Sequence, residues 1–391
     1  MDNLIPPAML GKRNSFSVLQ STPTAVGLRS SSGAYATPGQ PGLMESALPS
    51  STRRAAYYAS YRPLYAVDWS RGMHHRDTGQ IAVATCKEDG DNRIQILQTM
   101  PASEAQPNGQ IVQSLSFHLQ AEGPHQYPSY PCTRVMWDPA GRSAASPNVE
   151  RLASAGDFLR IWEYNAETLS FRQVSLLANK AKSEFNAPLT SLDWNKKDHS
   201  LVITSSIDTT CTIWDLNTSM AKTQLIAHDK EVFDARFTAG SVDVFASVGA
   251  DGSVRVFDLR SLEHSTIIYE PVNPPPLLRI STNARDANML ATFAVDSSVV
   301  HVLDIRAPGT PVVELDAHGG SVNAAEWAPQ QRGVLATAAD DCQVLVWDVG
   351  GSQAEVVLAH AAAGEVNNVA WSGSGDWLAA VAGCGVQGLR V

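Results

Sequence analysis

Charged residues are scarce in this chain. Asp, Glu, Lys and Arg make up 17% of 391 residues, while Ser, Thr, Gly and Val are frequent. A long amphipathic helix needs charged side chains on its polar face, so this balance favours strands and turns. Positive charge is scarcer still, with 29 Lys and Arg against 39 Asp and Glu, a net charge of −10. A nucleic-acid binder needs a positive field to displace counterions from phosphates, so direct DNA or RNA binding is not expected. No apolar run approaches the roughly 18–20 residues of a membrane span. The opening MDNLIPPAMLGKR lacks the charged n-region and long apolar core of a secretory signal. Cysteines are few and far apart: Cys86, Cys132, Cys211, Cys342 and Cys384. None forms a CxxC pair, so neither a zinc site nor a disulfide framework is expected. His74 and His75 beside Asp77 lack the third ligand that a metal site needs. These features suit a reducing compartment, nucleus or cytoplasm, in which the Asn217-Thr218-Ser219 sequon goes unused.

Residues 1–53 are rich in Ser, Thr, Pro, Gly and Ala and have no sustained periodicity. Such a segment cannot bury enough surface to offset its ordering entropy and reads as a disordered tail. It carries Lys12, Arg13, Arg29 and Arg53 against only Asp2 and Glu45, a balance that an organelle transit peptide shares. Thr22-Pro23 and Thr37-Pro38 are candidate targets of a proline-directed kinase docked on the rest of the chain.

From residue 54 the sequence repeats. "SAGDFLRIWEY" (154–164), "SSIDTTCTIWDL" (205–216), "VGADGSVRVFDLR" (248–260), "FAVDSSVVHVLDIR" (293–306) and "AADDCQVLVWDV" (338–349) share one plan. Each has a small-residue strand, an Asp-centred turn and an alternating strand ending on an aromatic or Leu followed by an acid. The markers Trp162, Trp214, Phe257, Leu303 and Trp347 are spaced by 52, 43, 46 and 44 residues, near the roughly 40–45 of a four-stranded propeller blade. A second marker, an apolar strand with an aromatic near its end, recurs in "AVDWS", "RVMWDP", "SLDWN", "DARFT", "AAEWAP" and "NVAWSG". With the degenerate "LLRIST" (277–282) these predict seven blades. The last blade runs out one strand short, and "AAYYASYR" (55–62) has strand alternation and no other partner. Pairing the two ends would remove an exposed sheet edge. The expected fold is therefore an all-β, seven-bladed β-propeller over 54–391.

The motifs "FNAPLTSLDWN", "AHDKEVFDARF", "FASVGADGSVRVFDLRSLEHSTIIYE" and "GEVNNVAW" resemble a specific group of WD40-repeat adaptors. These are the Transparent Testa Glabra/anthocyanin regulators of plants and their animal counterpart, the scaffold of DYRK and HIPK kinases that associates with cullin-4. The resemblance covers roughly 55–391, leaves 99–130 unmatched, and implies a scaffold with no catalytic activity and no cofactor. Its implied partners are proteins: MYB and bHLH transcription factors or kinases, and the adaptor of a cullin-4 ubiquitin ligase, with the chain monomeric inside such complexes. A substrate-receptor role in that ligase is the alternative function. WD40 similarity also implies a structural tetrad of His, Ser/Thr, Asp and Trp. His318, Thr337, Asp341 and Trp347 match it fully, His228, Ser247 and Asp251 match with Phe257 in place of Trp, and Thr204, Asp208 and Trp214 match without a His. A His–Ser–Asp set superficially suggests a hydrolase, but in a blade it satisfies buried polar groups. In "VFDLR" and "VLDIR" an Arg follows the blade's acid by two residues, Arg260 and Arg306. In cullin-4 substrate receptors such an Arg faces the ligase adaptor from the bottom of the propeller, whereas the plainer reading is a local ion pair to Asp258 and Asp304. Glu231, Phe233, Asn323, Glu365 and Asn367 fall near the loops of the opposite, top face and would suit basic, partly apolar partner segments; for Phe233 the plainer reading is core packing. Finally, "GCGVQG" (383–388) matches GxGxxG, but a dinucleotide site needs a helix after the turn, and only three residues remain.

Overall fold

The computed structural model describes residues 56–71, 79–87, 91–105, 111–125, 130–142, 146–178, 187–351 and 353–391. Residues 1–53, with Thr22 and Thr37, and the His74, His75 and Asp77 group lie outside them. Among the described residues every regular element is a strand. The strands form seven four-stranded antiparallel sheets, six of them built in chain order from an inner strand a to an outer strand d. The inner strands are Leu64–Trp69, Arg134–Trp137, Leu189–Trp194, Val232–Phe237, Leu277–Thr282, Val322–Trp327 and Val366–Trp371. Each touches the next and the last touches the first, which closes the ring. The degenerate Leu277–Thr282 segment is a full inner strand.

Blade seven uses both chain ends. Its strand order is Ala56–Ala59, Gly385–Arg390, Trp377–Ala382, Val366–Trp371. The closing strand pairs Ala56 with Gly388 through Ala59 with Gly385, and Ser60 N–H then donates to the Cys384 carbonyl at 2.8 Å. The end of the chain thus supplies an edge that its beginning covers. Glycine is required at Gly385, because a Cβ there would lie 2.5 Å from the Tyr57 ring. The GxGxxG match is therefore a turn and a closing strand.

The core is divided into wedges between blades. One wedge joins Ile203 and Ile213 of blade three to Val232, Phe245 and Phe257 of blade four; similar clusters fill every other junction. A blade is packed on both faces, so its middle strands are buried throughout rather than alternating. Leu201–Ser206 is buried at every position, whereas the outer strand Met220–Ile226 is exposed at every second one. Asp carboxylates tie neighbouring blades: Asp68 accepts from Trp137 N–H at 2.7 Å and Asp193 from Phe237 N–H at 2.8 Å. Blade one departs from the pattern. Its strands Asn92–Ala105 and Ile111–His125 pair as far as Ala105–Ile111, whereas strand b engages only residues 94–98. Within the unmatched 99–130 region, residues 99–105 and 111–117 thus form a two-stranded ribbon running beyond the blade.

Candidate protein-interaction site

The linked His–Ser/Thr–Asp sets of blades four and six mark the top end of the propeller. In blade six, Thr337 on strand b receives Trp347 Nε1–H at 2.8 Å, and His318 Nε2 meets its hydroxyl at 2.7 Å. His318 Nδ1 lies 2.9 Å from Asp341 Oδ2, whose carboxylate also accepts Gly319 N–H at 2.8 Å. In blade four the chain runs Asp251, His228, Ser247, with ring-nitrogen contacts of 2.9 and 2.8 Å. Phe257 has no N–H to donate and stacks on Phe245 at 5.0 Å instead. Burial works against the Asp251 carboxylate, yet hydrogen bonds from His228 and Ser253 hold it well below the usual carboxylate range. The polar atoms of these sets thus find their partners inside the blade.

Blade three differs from its sequence reading. Trp214 Nε1–H donates to Thr204 at 2.8 Å, but Asp208 accepts from Thr210 N–H and Oγ1–H within its own turn. No His links the two, so Asp208 is a turn residue. Blade two holds a member that the sequence reading missed. Trp162 Nε1–H donates to Ser154 at 2.9 Å, and the buried His125 ring stacks on Trp162 at 6.4 Å. Neither His125 nitrogen has a partner among the described residues, and Asp157 pairs with Arg160 instead. Burial, with Arg160 nearby, pushes the imidazole down to about 4, so it is neutral at physiological pH. The signal was present, a His ahead of a Trp marker, but the spacing is longer than in blades four and six.

The axis is filled by charge drawn from distant blades. Glu326 of blade six accepts from Arg134 of blade two at 3.1 Å and from Arg236 of blade four at 3.0 Å. Arg236 also lies 3.5 Å from Asp234 and 3.7 Å from Asp193. Burial opposes the Glu326 charge, but Arg236 and Arg134 hold its carboxyl down at about 2. Above this plug Arg279 of blade five donates to the carbonyls of Thr190 and Phe233 at 3.2 and 3.3 Å, and to the Tyr65 hydroxyl at 2.9 Å.

The top-face candidates divide. Phe233 is 3% exposed within the wedge between blades five and six, so it is a core residue and not a contact residue. Asn323 donates to Asp340 at 2.7 Å and to the Val366 carbonyl at 3.0 Å, which ties blade six to blade seven. Asn367 lines the mouth of the axial channel beside it. Glu231 is half-buried and Glu365 exposed, each just before an inner strand.

At the bottom end, Arg260 Nη2 and Nε grip Asp258 at 2.6 and 2.9 Å, and Arg306 grips Asp304 with the same distances. The ion pairs are real, yet the side chains remain 69% and 63% exposed. Each carboxylate holds one edge of its guanidinium in place while the other edge faces solvent. A groove of about 430 Å³ runs beside them between blades four and five, lined by Thr238–Val244, Arg260, Asn288 and Ile305.

The WD domain, G-beta repeat model matches residues 180–215 and 309–348. The DDB1- and CUL4-associated factor 7 homolog of Dictyostelium discoideum is 43% identical over 343 residues, 87% of this chain and 99% of that protein. The chain belongs to the DDB1- and CUL4-associated factor 7 family. An uncharacterized WD repeat-containing protein of Schizosaccharomyces pombe is 41% identical, spanning 75% of this chain and 69% of its own length. A WD repeat-containing protein of Saccharomyces cerevisiae is 39% identical over 76% of this chain and 59% of its own length. Nearly the whole Dictyostelium factor aligns, so this family is built around the propeller itself.

Proposed function

We propose that this chain is a scaffold without catalytic activity that holds regulatory proteins on its top face and a cullin-4 ligase adaptor on its bottom face. The observation that carries it is the pair of Asp–Arg forks in neighbouring blades, Asp258–Arg260 and Asp304–Arg306. Two guanidinium groups fixed by their own carboxylates form a pre-organised, repeated donor surface, which lowers the ordering cost of binding. The name of the Dictyostelium relative, DDB1- and CUL4-associated, supplies the partner: DDB1. Substrate reception for that ligase and scaffolding are compatible, because they use opposite ends of the propeller. For the top face, the resemblance to the Transparent Testa Glabra and kinase-scaffold adaptors favours transcription factors of MYB or bHLH type, or kinases of DYRK or HIPK type. A scaffold for such partners acts in nucleus and cytoplasm, which is part of the proposal.

The test is Arg260→Glu combined with Arg306→Glu. DDB1 co-purification should be lost, since truncating a charge contact at a buried interface costs roughly 2–5 kcal/mol. The melting temperature should stay near wild type, because exposed ion pairs contribute about 0–1 kcal/mol. Undiminished DDB1 binding by the double variant would refute the bottom-face assignment.

A further inference from the structure

We propose that the top mouth of the axial channel is a carboxylate site that receives the Asp or Glu side chain of an extended partner segment. The proposal rests on the reading of the top face as a docking face and specifies what docks there. It also reverses part of the expectation from sequence, in which the acids near the top loops pointed to basic segments.

The argument begins with the charges around the mouth. It is lined by Arg134, Arg236, Arg279, Tyr65 and three asparagines, with Glu326 the one carboxylate among the lining residues. Arg236 has Asp193 and Asp234 beside it as well as Glu326. Arg134 shares Glu326 with it, and its buried Nε has no hydrogen-bond partner. Arg279 faces only neutral acceptors, two carbonyls and a phenol. A guanidinium withdrawn from water without a counter-charge is costly and invites an anion. Burial pushes the Arg134 guanidinium below its ordinary value, with the Arg236 charge the next cause, which matches an excess of positive charge here. Neutral donors are on hand too. Asn323 is committed to Asp340 and Val366, whereas among the described residues the Asn367 side chain makes no hydrogen bond and the Asn368 side chain only accepts, from Val369 N–H.

Size selects the anion. The free space above the cross-axis ties is about 10 Å³, close to one water molecule. One oxygen of a carboxylate takes a space of that size, with the rest of the acidic side chain in the part of the mouth open to solvent. A phosphate is bulkier, and a chain terminus brings its last Cα and side chain along. The inner strands enter the channel from the loops that carry His228 and His318, so the mouth lies at the centre of the tetrad end, where a segment crossing the top face passes over it.

The experiment selects short random peptides, displayed with fixed residues on both sides, on the whole chain. Wild type should enrich Asp or Glu at one fixed position. A selected peptide with that acid changed to its amide should bind about tenfold or more weakly, the scale of a pair of charge-assisted hydrogen bonds. The enrichment should vanish on Arg279→Met and also on Asn367→Asp. The second variant places a carboxylate at the mouth while leaving the contacts of Arg279 intact, so lost folding cannot account for both. Peptides selected without any acidic position overturn the proposal but leave the scaffold reading standing, as does enrichment that survives in both variants. If a parallel library with free C-termini binds only through the terminal carboxylate, the side-chain source is wrong. A wild-type chain that selects no peptide overturns the proposal and the docking-face reading together.

Discussion

Replacing Glu326 by Gln removes the one charge that bridges blades two, four and six across the axis. Its magnitude can be worked in two ways. Removing one partner of a buried ion pair costs about 3–5 kcal/mol, because the other is left uncompensated. Here the lower end applies, since Arg236 keeps Asp193 and Asp234 at 3.7 and 3.5 Å and the loss falls mainly on Arg134. Independently, the Glu326 carboxyl sits at about 2 in the folded protein against an ordinary value of about 4.3. At about 1.4 kcal/mol per unit this is again near 3 kcal/mol. The folded value is depressed, so the stabilisation is fully present above the unfolded value and is lost as pH falls from about 4.5 towards 2. Urea unfolding of wild type and Glu326→Gln should therefore differ by about 3 kcal/mol near neutrality, with the gap closing across that acid window. A gap that is absent at neutrality, or that stays constant as pH falls, would refute the cross-axis account.

Trp347→Ala should cost about 3–5 kcal/mol, as a buried aromatic does, and His318→Ala only about 1–2 kcal/mol, since it breaks a polar chain without opening a large cavity. Denaturant titrations that rank His318 above Trp347 would contradict the tetrad energetics. Thr209 holds a φ of +72° in its turn, a conformation that costs a β-branched residue, while the corresponding position in blade four is Gly252 at +76°. Thr209→Gly should raise stability by about 1 kcal/mol, and Gly252→Ala should lower it, because a Cβ would meet Pro274 at 2.4 Å; calorimetric melting of both variants checks the pair.

The blades were legible because each repeats locally: turn, alternating strand and aromatic marker all fall within some fifteen residues. Even blade five, without a Trp, was countable from Leu277–Thr282 and Leu303, since spacing survived where residue identity did not. Residue roles were less legible where they depend on what lies across a junction. Phe233, next to a loop, reads either as a contact residue or as core, and blade five packing over it decides for the core. Asp208 has the right position for a tetrad and lacks the His that would draw it in. The axial network was the least legible part. Arg134 and Glu326 are 192 residues apart, each the one charge in its inner strand, and only the closed ring brings them together. The Asp–Arg forks were the opposite case: two residues apart in sequence, they kept both their ion pair and their exposure.

The central claim is that one propeller carries a ligase adaptor at its bottom and a regulatory protein at its top simultaneously. Native mass spectrometry of complexes purified from source material through this chain tests it most directly. The account predicts a single particle containing this chain, DDB1 and a third protein, with DDB1 alone lost when Arg260→Glu and Arg306→Glu are introduced. Only binary complexes, with DDB1 and every other partner mutually exclusive, would contradict it.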